Sequence, residues 1–477
     1  MKKFLFVLLL LSAIVFRAQC QYVIQSYLIT TISKDNLNYI PGLNPEYDVD
    51  AYYILYNTTD AHGNPTVASG ACFIPVVDSC NFFPLISYQH GTILRKSDVP
   101  SRLYNESIIG QIFASLGNIT VCPDYLGLGD SPGLHPYCHA QTEATATVDF
   151  IRAAREMMND SLGIFDNGQV FLTGYSQGGH ATMATHKYIE DNNLTSEFNV
   201  VASAPGSGPY HMSGAQAEMI FNTPDYPSPS YLVYLLFAYN SVYNNIFDGA
   251  DEVLKSPYDV TIPPYLNGNF STWQLNNALP DSLHLFLQDT FLQSVIDDMD
   301  DKLTPVWQNL LDNDNHDWLP QAPIRMYYCT ADEQVSYLNS VNAEAAMIAN
   351  GAVNVQAIDV NSGANHGDCG LPAIVNGYYW FNTMRIPCVN TSVSESNIFH
   401  DVTLFPNPAS EFIIISGLSM ECHVSCYDMQ GNEVFEMKFA GQEQVHIDVS
   451  GLYSGIYIVK IQTNIMQGMV KKFSIIR

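Results

Sequence analysis

The sequence predicts an α/β protein, with a mostly parallel sheet covered by helices on both faces and a small all-β domain after it. Three observations carry this expectation. Between about Val49 and Asp359, short apolar runs alternate with longer stretches of helical period. The polar clusters of that region fall at the ends of the apolar runs, where a parallel sheet places its chemistry. After Cys388 the text changes to short alternating strands separated by turns. At 477 residues the chain exceeds one ordinary domain, and 47% hydrophobic against 14% charged residues suits a large buried core.

The first twenty residues, MKKFLFVLLLLSAIVFRAQC, join two lysines to an apolar stretch from Phe4 to Phe16. That stretch is short for a permanent span and fits a signal peptide (residues 1–20), cleaved near Ala18 to Gln21. No later segment reads as a transmembrane span, so the mature chain is expected to be secreted or held at the cell surface. The formal net charge is −28, from 19 basic and 47 acidic residues. That balance argues against nucleic acid and anionic membrane as partners, since each requires a basic face.

The sheet is expected to begin near Val49, where DAYYILYNTTD and TVASGACFIPVV flank the turn Ala61-His62-Gly63-Asn64-Pro65. FPLISYQHG and NITVCPDYLGLG are the next strands, each ending in polar or glycine-rich text. TEATATVDFIRAAREMM reads as a helix, QVFLTGYS as a strand, QGGHATMATHKYIED as a helix and FNVVASAPGSG as a strand. The alternation then breaks over about residues 207–320. This insertion holds the uncharged stretch Tyr226 to Phe247, read as a buried helix of a cap that roofs the site with apolar wall. APIRMYYCTADE and NVQAIDVNSGANHG resume the strands. Residues 389–399 read as a linker and residues 400–477 as a β-sandwich of modest size. Ten cysteines in an exported chain predict disulfides, with Cys72–Cys80, Cys122–Cys138 and Cys369–Cys388 as the close candidates and Cys329 as a buried thiol.

The chemistry centres on FLTGYSQGGH, residues 171–180. A five-residue G-x-S-x-G pattern turns up by chance in roughly one chain in six of this length at ordinary glycine and serine usage. Here a strand precedes it and a helix follows, the context of a nucleophile elbow, which makes Ser176 the expected nucleophile. A hydroxyl needs a base to take its proton. In the order Ser…Asp…His, Asp332 after IRMYYCTA is the expected acid, with Glu333 or Asp359 as substitutes, and His366 in NSGANHGD is the expected base. The oxyanion needs two backbone donors aimed at it. One is the N–H of Gln177 at the start of the helix after the elbow; the other is expected from the turn after FPLISYQHGT, from Thr92 or Gly91. His90 is expected to prop that turn, and His180 and His186 to be structural. No zinc motif, phosphate loop or dinucleotide fingerprint occurs, so no cofactor or metal is inferred.

YQHGT, PDYLGLGDS, HPYCHAQTEATATVDFIRAAR and GYSQGGH together resemble the secretory lipase-like branch of the α/β-hydrolases, over roughly Tyr22 to Cys388. The resemblance implies an α/β-hydrolase domain (residues 21–388) with a helical cap between the sixth and seventh core strands and a triad of Ser176, Asp332 and His366. The tail, with TLFPNPAS, GLYSGIYIVKIQT and VKKFSIIR, looks like a type A sorting domain of the type IX secretion system. It implies the type IX machinery as partner. The expected function is a secreted serine esterase or lipase acting on a small-molecule or lipid ester. A serine aminopeptidase on the same fold and a non-catalytic surface-binding protein are the alternatives.

Overall fold

A computed structural model describes residues 21–388 and 402–477, apart from positions 38, 39, 41, 79, 224, 418–420, 429–431, 441–443 and 464–467. The expected signal peptide and linker lie outside the described residues. The chain divides into two units, Met1–Cys388 and Val389–Arg477.

Among the described residues the first unit is built on nine strands, β1 (Val23–Ile32), β2 (Val49–Thr59), β3 (Pro65–Pro75), β4 (Phe82–Gln89), β5 (Ile119–Pro123), β6 (Phe165–Tyr175), β7 (Val200–Gly206), β8 (Ile324–Tyr328) and β9 (Val355–Asp359). Their order in the sheet is β1-β2-β3-β5-β4-β6-β7-β8-β9. From β5 to β9 the neighbours run parallel, while β1, β2 and β3 form an antiparallel flank. Burial on both faces explains the unbroken apolar runs. Phe171 of β6 joins one core with Ile86, Phe113 and Phe381, while its neighbours Val170 and Leu172 join another with Phe150 and Ile189. Helix α1 (Ser107–Ser115) and the helix His366–Asn382 cover the first face; α2 (Ala140–Met157) and α3 (Gln177–Asp191) cover the second.

The sheet begins earlier than the sequence suggests. β1 pairs along β2 from Val23↔Tyr56 to Ile32↔Val49. VIQSYLITTI sits at the sheet edge, with Ile24, Tyr27 and Leu28 46–47% exposed, so it lacks the alternation that marks a strand with a buried face. Between β7 and β8 the described residues form helices around a core of their own that includes Tyr234, Leu254, Phe286, Leu287 and Trp307. The uncharged stretch contributes the helix Pro229–Tyr243.

The disulfides correct the sequence expectation. Cys80 pairs with Cys388, and Cys329 with Cys369, while Cys72, Cys122 and Cys138 are buried free thiols. Cys72 and Cys122 point from β3 and β5 into the two cores. Cys369 lies in the first turn of the helix His366–Asn382 and Cys388 beyond its other end. At 1.5 Å per residue, about 20 Å of helix separates Cys369 from that end, far beyond disulfide reach. Cys329 is buried as expected, but as half of a disulfide.

The second unit carries β10 (Thr403–Phe405), β11 (Phe412–Ser416), β12 (Glu421–Asp428), β13 (Glu433–Ala440), β14 (Gln444–Asp448), β15 (Gly455–Thr463) and β16 (Gly468–Ile475). They form two antiparallel sheets, β10-β11-β14 and β13-β12-β15-β16. Ile413 and Ile447 of one meet Val424, Val459 and Phe473 of the other in a common core, the packing of a β-sandwich.

Candidate active site

Ser176 sits between the end of β6 and the start of α3 at φ 60°, ψ −123°. This left-handed geometry points the side chain out of the turn, and it persists because the surroundings allow no alternative. A Cβ on Gly178 would stand 2.0 Å from the Gln89 carbonyl oxygen, and one on Gly174 would stand 2.4 Å from the same atom. The elbow therefore needs glycine at both positions because the β4 backbone passes directly against it. The Ser176 N–H donates to Gly206 O at 2.9 Å, tying the elbow to β7 as well.

Asp332 follows β8, and His366 opens the helix after β9. His366 Nε2 lies 2.9 Å from Ser176 Oγ, and His366 Nδ1 lies 2.7 Å from Asp332 Oδ2. The three residues are 6–8% exposed. The other carboxylate oxygen of Asp332 accepts the N–H groups of Gln334 (3.0 Å) and Val335 (2.9 Å), which locks its plane. Glu333 takes a different task from the substitute acid considered above, since its Oε2 accepts the His366 N–H at 3.0 Å. Asp359 is engaged by Thr330 Oγ1 and the Asn361 N–H. Tyr175 donates its hydroxyl to His366 O at 2.7 Å and lays its ring 5.0 Å from the imidazole.

Of the three expected oxyanion donors, Gly91 is corrected. Its N–H donates to Glu106 Oε2 at 3.0 Å and so is spent within the protein. The glycine instead makes room, because a Cβ there would stand 2.9 Å from Glu106 Oε1. The N–H groups of Thr92 and Gln177 have no hydrogen-bond partner among the described residues. Thr92 follows β4, its hydroxyl paired with Tyr137 Oη at 2.9 Å; Gln177 begins α3, where the helix dipole favours negative charge. His90 sets its ring nitrogens against Gly91 O and Asp124 O, at 2.7 and 3.3 Å.

Two carboxylates escaped the sequence reading. Glu106 braces the turn after β4, accepting from Tyr88 Oη at 2.6 Å as well as from Gly91. Glu143, 1% exposed on α2, accepts from Gln177 Nε2 at 2.8 Å and pairs with His180 Nδ1 at 2.6 Å, so it holds the first turn of α3. Its signal was an acid amid small residues in TEATAT. Burial disfavours the charged His180 imidazole, but Glu143 outweighs it and the pKa is raised. His135, whose Nε2 faces Gln177 Nε2 at 2.6 Å, is pushed down to about 3 by burial. His186 contacts Ser203 and Glu190. His211, Asp314 and His316 gather within 4.8 Å, but the two imidazoles stack at 3.8 Å and 23°, so their lone pairs run side by side rather than converge on one ion.

Over Ser176 lies an apolar cavity lined in part by Tyr137 and, from the insertion, by Met212, Ile220, Leu232 and Leu235. A second, inner cavity shares Met212, Gln216, Ile220, Leu232 and Leu235 with it and continues between Phe221, Leu236, Val306 and Leu310.

Residues 105–211 match the secretory lipase family, and residues 403–476 match the secretion system C-terminal sorting domain. A putative hydrolase from Legionella pneumophila is 27% identical, covering 76% of this chain and 98% of its own, with a TM-score of 0.69. The rice cell wall degrading esterase LipA from Xanthomonas oryzae is 28% identical, covering 76% and 99%, also with a TM-score of 0.69. Candida antarctica lipase A in its closed state shares the fold at 18% identity, covering 78% and 84%, with a TM-score of 0.57. No curated protein matches. The first unit thus has the α/β-hydrolase fold and is similar to secretory lipases, and residues 403–476 are similar to a type IX sorting domain. These similarities support an ester hydrolase, and the sorting domain indicates an exported protein that meets the type IX machinery. No helix among the described residues is long and apolar enough to cross a membrane.

Proposed function

We propose that the protein is an exported serine esterase that cleaves acyl esters through a Ser176–His366–Asp332 triad. The observation that carries this reading is the unbroken chain from Ser176 Oγ to His366 Nε2 (2.9 Å) and from His366 Nδ1 to Asp332 Oδ2 (2.7 Å). Ser176 Oγ attacks the ester carbonyl while His366 Nε2 takes its proton. Asp332 holds the imidazole in the tautomer that leaves Nε2 free to accept and stabilises the imidazolium that forms. The N–H groups of Gln177 and Thr92 receive the tetrahedral oxyanion. The alcohol leaves with the proton from His366, and water, deprotonated by the same nitrogen, releases the acid from the acyl-enzyme.

The two apolar cavities, which share lining residues, favour an acyl chain on the substrate. Among the described residues lining the outer cavity there is no carboxylate, which an aminopeptidase would need to hold a substrate ammonium group. That observation favours ester over aminoacyl substrates. We assign residues 21–388 to hydrolysis and 400–477 to sorting, with residues 1–20 as the export signal and 389–399 as the connection.

Purified protein and its Ser176→Ala variant, assayed on p-nitrophenyl esters from acetyl to palmitoyl and on aminoacyl anilides, test the reading. Ester turnover that disappears in the variant is expected. Turnover of anilides alone would overturn the substrate class, and equal activity in the variant would overturn the mechanism.

A further inference from the structure

We propose that the Cys329–Cys369 disulfide is a positioning element of the active site, joining the acid of the triad covalently to its base; the inference rests on the Ser176–His366–Asp332 reading. Cys329 stands three residues before Asp332, and the Asp332 N–H donates to Cys329 O at 3.2 Å. Cys369 stands three residues after His366, less than one helical turn away, and its N–H donates to Asn365 O at 2.9 Å. The sulfurs are bonded at 2.09 Å with the Cα atoms 6.0 Å apart, and both cysteines are fully buried.

The two segments need such a tie. Asp332 lies in a turn beyond the end of β8, and His366 is the first residue of its helix, so neither is fixed by strand pairing or by full helical hydrogen bonding. Around the disulfide run three non-covalent links between the same segments: His366 Nδ1 to Asp332 Oδ2 (2.7 Å), the His366 N–H to Glu333 Oε2 (3.0 Å) and the Ala331 N–H to Ser362 O (3.1 Å). All three depend on the helix start keeping its distance from the turn. The disulfide sets that distance through one covalent bridge, less than a turn from each reacting group.

The second disulfide supplies an internal control. Cys80–Cys388 closes a separation of 308 residues against 40 for Cys329–Cys369, so loop-closure entropy makes it the stronger stabiliser of the fold. Neither Cys80 nor Cys388 adjoins a triad residue in the chain. A purely structural role would rank both disulfides by loop length. A positioning role reverses their ranking in kcat.

The experiment uses the full chain with three double variants: Cys329→Ala with Cys369→Ala, the better-filled Cys329→Val with Cys369→Ala, and Cys80→Ala with Cys388→Ala. Each is measured for kcat and KM on p-nitrophenyl butyrate, for the rate of Ser176 labelling by a p-nitrophenyl phosphonate, and for thermal midpoint. Loss of the Cys329–Cys369 bridge is expected to lower kcat and labelling by about ten- to a hundredfold, the range that misplacing a reacting group by about 1 Å produces, with KM changed less than about threefold. The Cys80–Cys388 variant is expected to lose more thermal midpoint and to keep kcat within about threefold.

Graded reduction of the wild-type chain by a water-soluble phosphine gives a readout independent of refolding. The phosphine takes oxygen from water to become its oxide as each disulfide becomes two thiols. Activity should fall with the appearance of Cys329 and Cys369 thiols by mass spectrometry rather than those of Cys80 and Cys388. Wild-type kcat in either variant of the Cys329–Cys369 pair, or activity loss that follows Cys80 and Cys388, would overturn the proposal. Full activity in Ser176→Ala would instead overturn the triad reading, and the proposal with it.

Discussion

Replacing Glu106 by glutamine should slow catalysis without loosening substrate binding. One carboxylate oxygen of Glu106 accepts both the Tyr88 hydroxyl (2.6 Å) and the Gly91 N–H (3.0 Å). Thr92, the proposed oxyanion donor, is the next residue. A hydrogen bond to a charged group contributes about 1.5–3 kcal/mol, against about 1 kcal/mol for a neutral one. Glutamine keeps one acceptor oxygen of nearly the same shape but loses the charge, so the His90–Gly91 peptide, next to the one that carries the Thr92 N–H, is held less firmly. If most of that loss appears where the oxyanion forms, about 1–2 kcal/mol becomes a roughly five- to thirtyfold fall in kcat. KM should change less than about twofold, because the ground-state ester makes little use of the donor. Steady-state kinetics on p-nitrophenyl butyrate measures both, with thermal melting to check that the fold is intact. Tyr88→Phe is the control: it removes the other donor to Glu106 and leaves Gly91 its charged acceptor, so kcat should stay within about threefold. Wild-type kcat in Glu106→Gln, a loss confined to KM, or an equal loss in Tyr88→Phe would refute the positioning argument.

Leu235 lines both the cavity at Ser176 and the second cavity, and Leu235→Trp should fill the space where their linings meet. Each buried methylene contributes about 0.8 kcal/mol, roughly fourfold, so the octanoyl-over-butyryl ratio of kcat/KM should fall at least tenfold while acetyl ester hydrolysis is retained; an unchanged ratio would place the acyl chain elsewhere. Thermal stability should decline on acidification. Burial holds His135 and His139 neutral in the folded chain, down to about 3 and about 4, whereas unfolded histidine protonates near 6.5. Their contribution is therefore complete above about pH 6.5 and is lost as pH falls towards 4, on the order of 1–2 kcal/mol each by pH 5. His180, raised by Glu143, acts in the opposite sense, its contribution complete below about pH 6.5 and lost as pH rises through its folded pKa. Melting curves from pH 7.5 to 4.5 read the balance, and a midpoint that stays flat below pH 6.5 would contradict it.

Much of the first unit was legible because its signals are local. β6, the elbow and α3 occupy one continuous stretch, and the strand and helix periods on either side of Ser176 are written in consecutive residues. Asp332 and His366 could be singled out because each follows an apolar run that becomes a parallel strand. β1 was not legible, since an edge strand exposed to water carries no alternation to read. Nor was the work of Glu106: its partners Tyr88 and Gly91 are 18 and 15 residues upstream, across a strand end and a turn that no periodicity encodes. The disulfides failed for a related reason. Nearness in sequence favoured Cys369–Cys388, but the helix between them carries the two cysteines apart while bringing Cys329 and Cys369 together.

By itself the sequence determined the class of fold, the places where strands end, the tight turn at Ser176 and the small sandwich at the C-terminal end, because backbone sterics and burial act over a few residues at a time. Only the tertiary structure decided which groups meet. Ser176 lies 2.9 Å from a histidine 190 residues away, and that histidine lies 2.7 Å from an aspartate 34 residues before it. It also decided that Gly91 yields its N–H to Glu106 and that Cys329 bonds Cys369. Such choices depend on distances across the packed sheet, which are set by the whole core and not by any one segment of the chain.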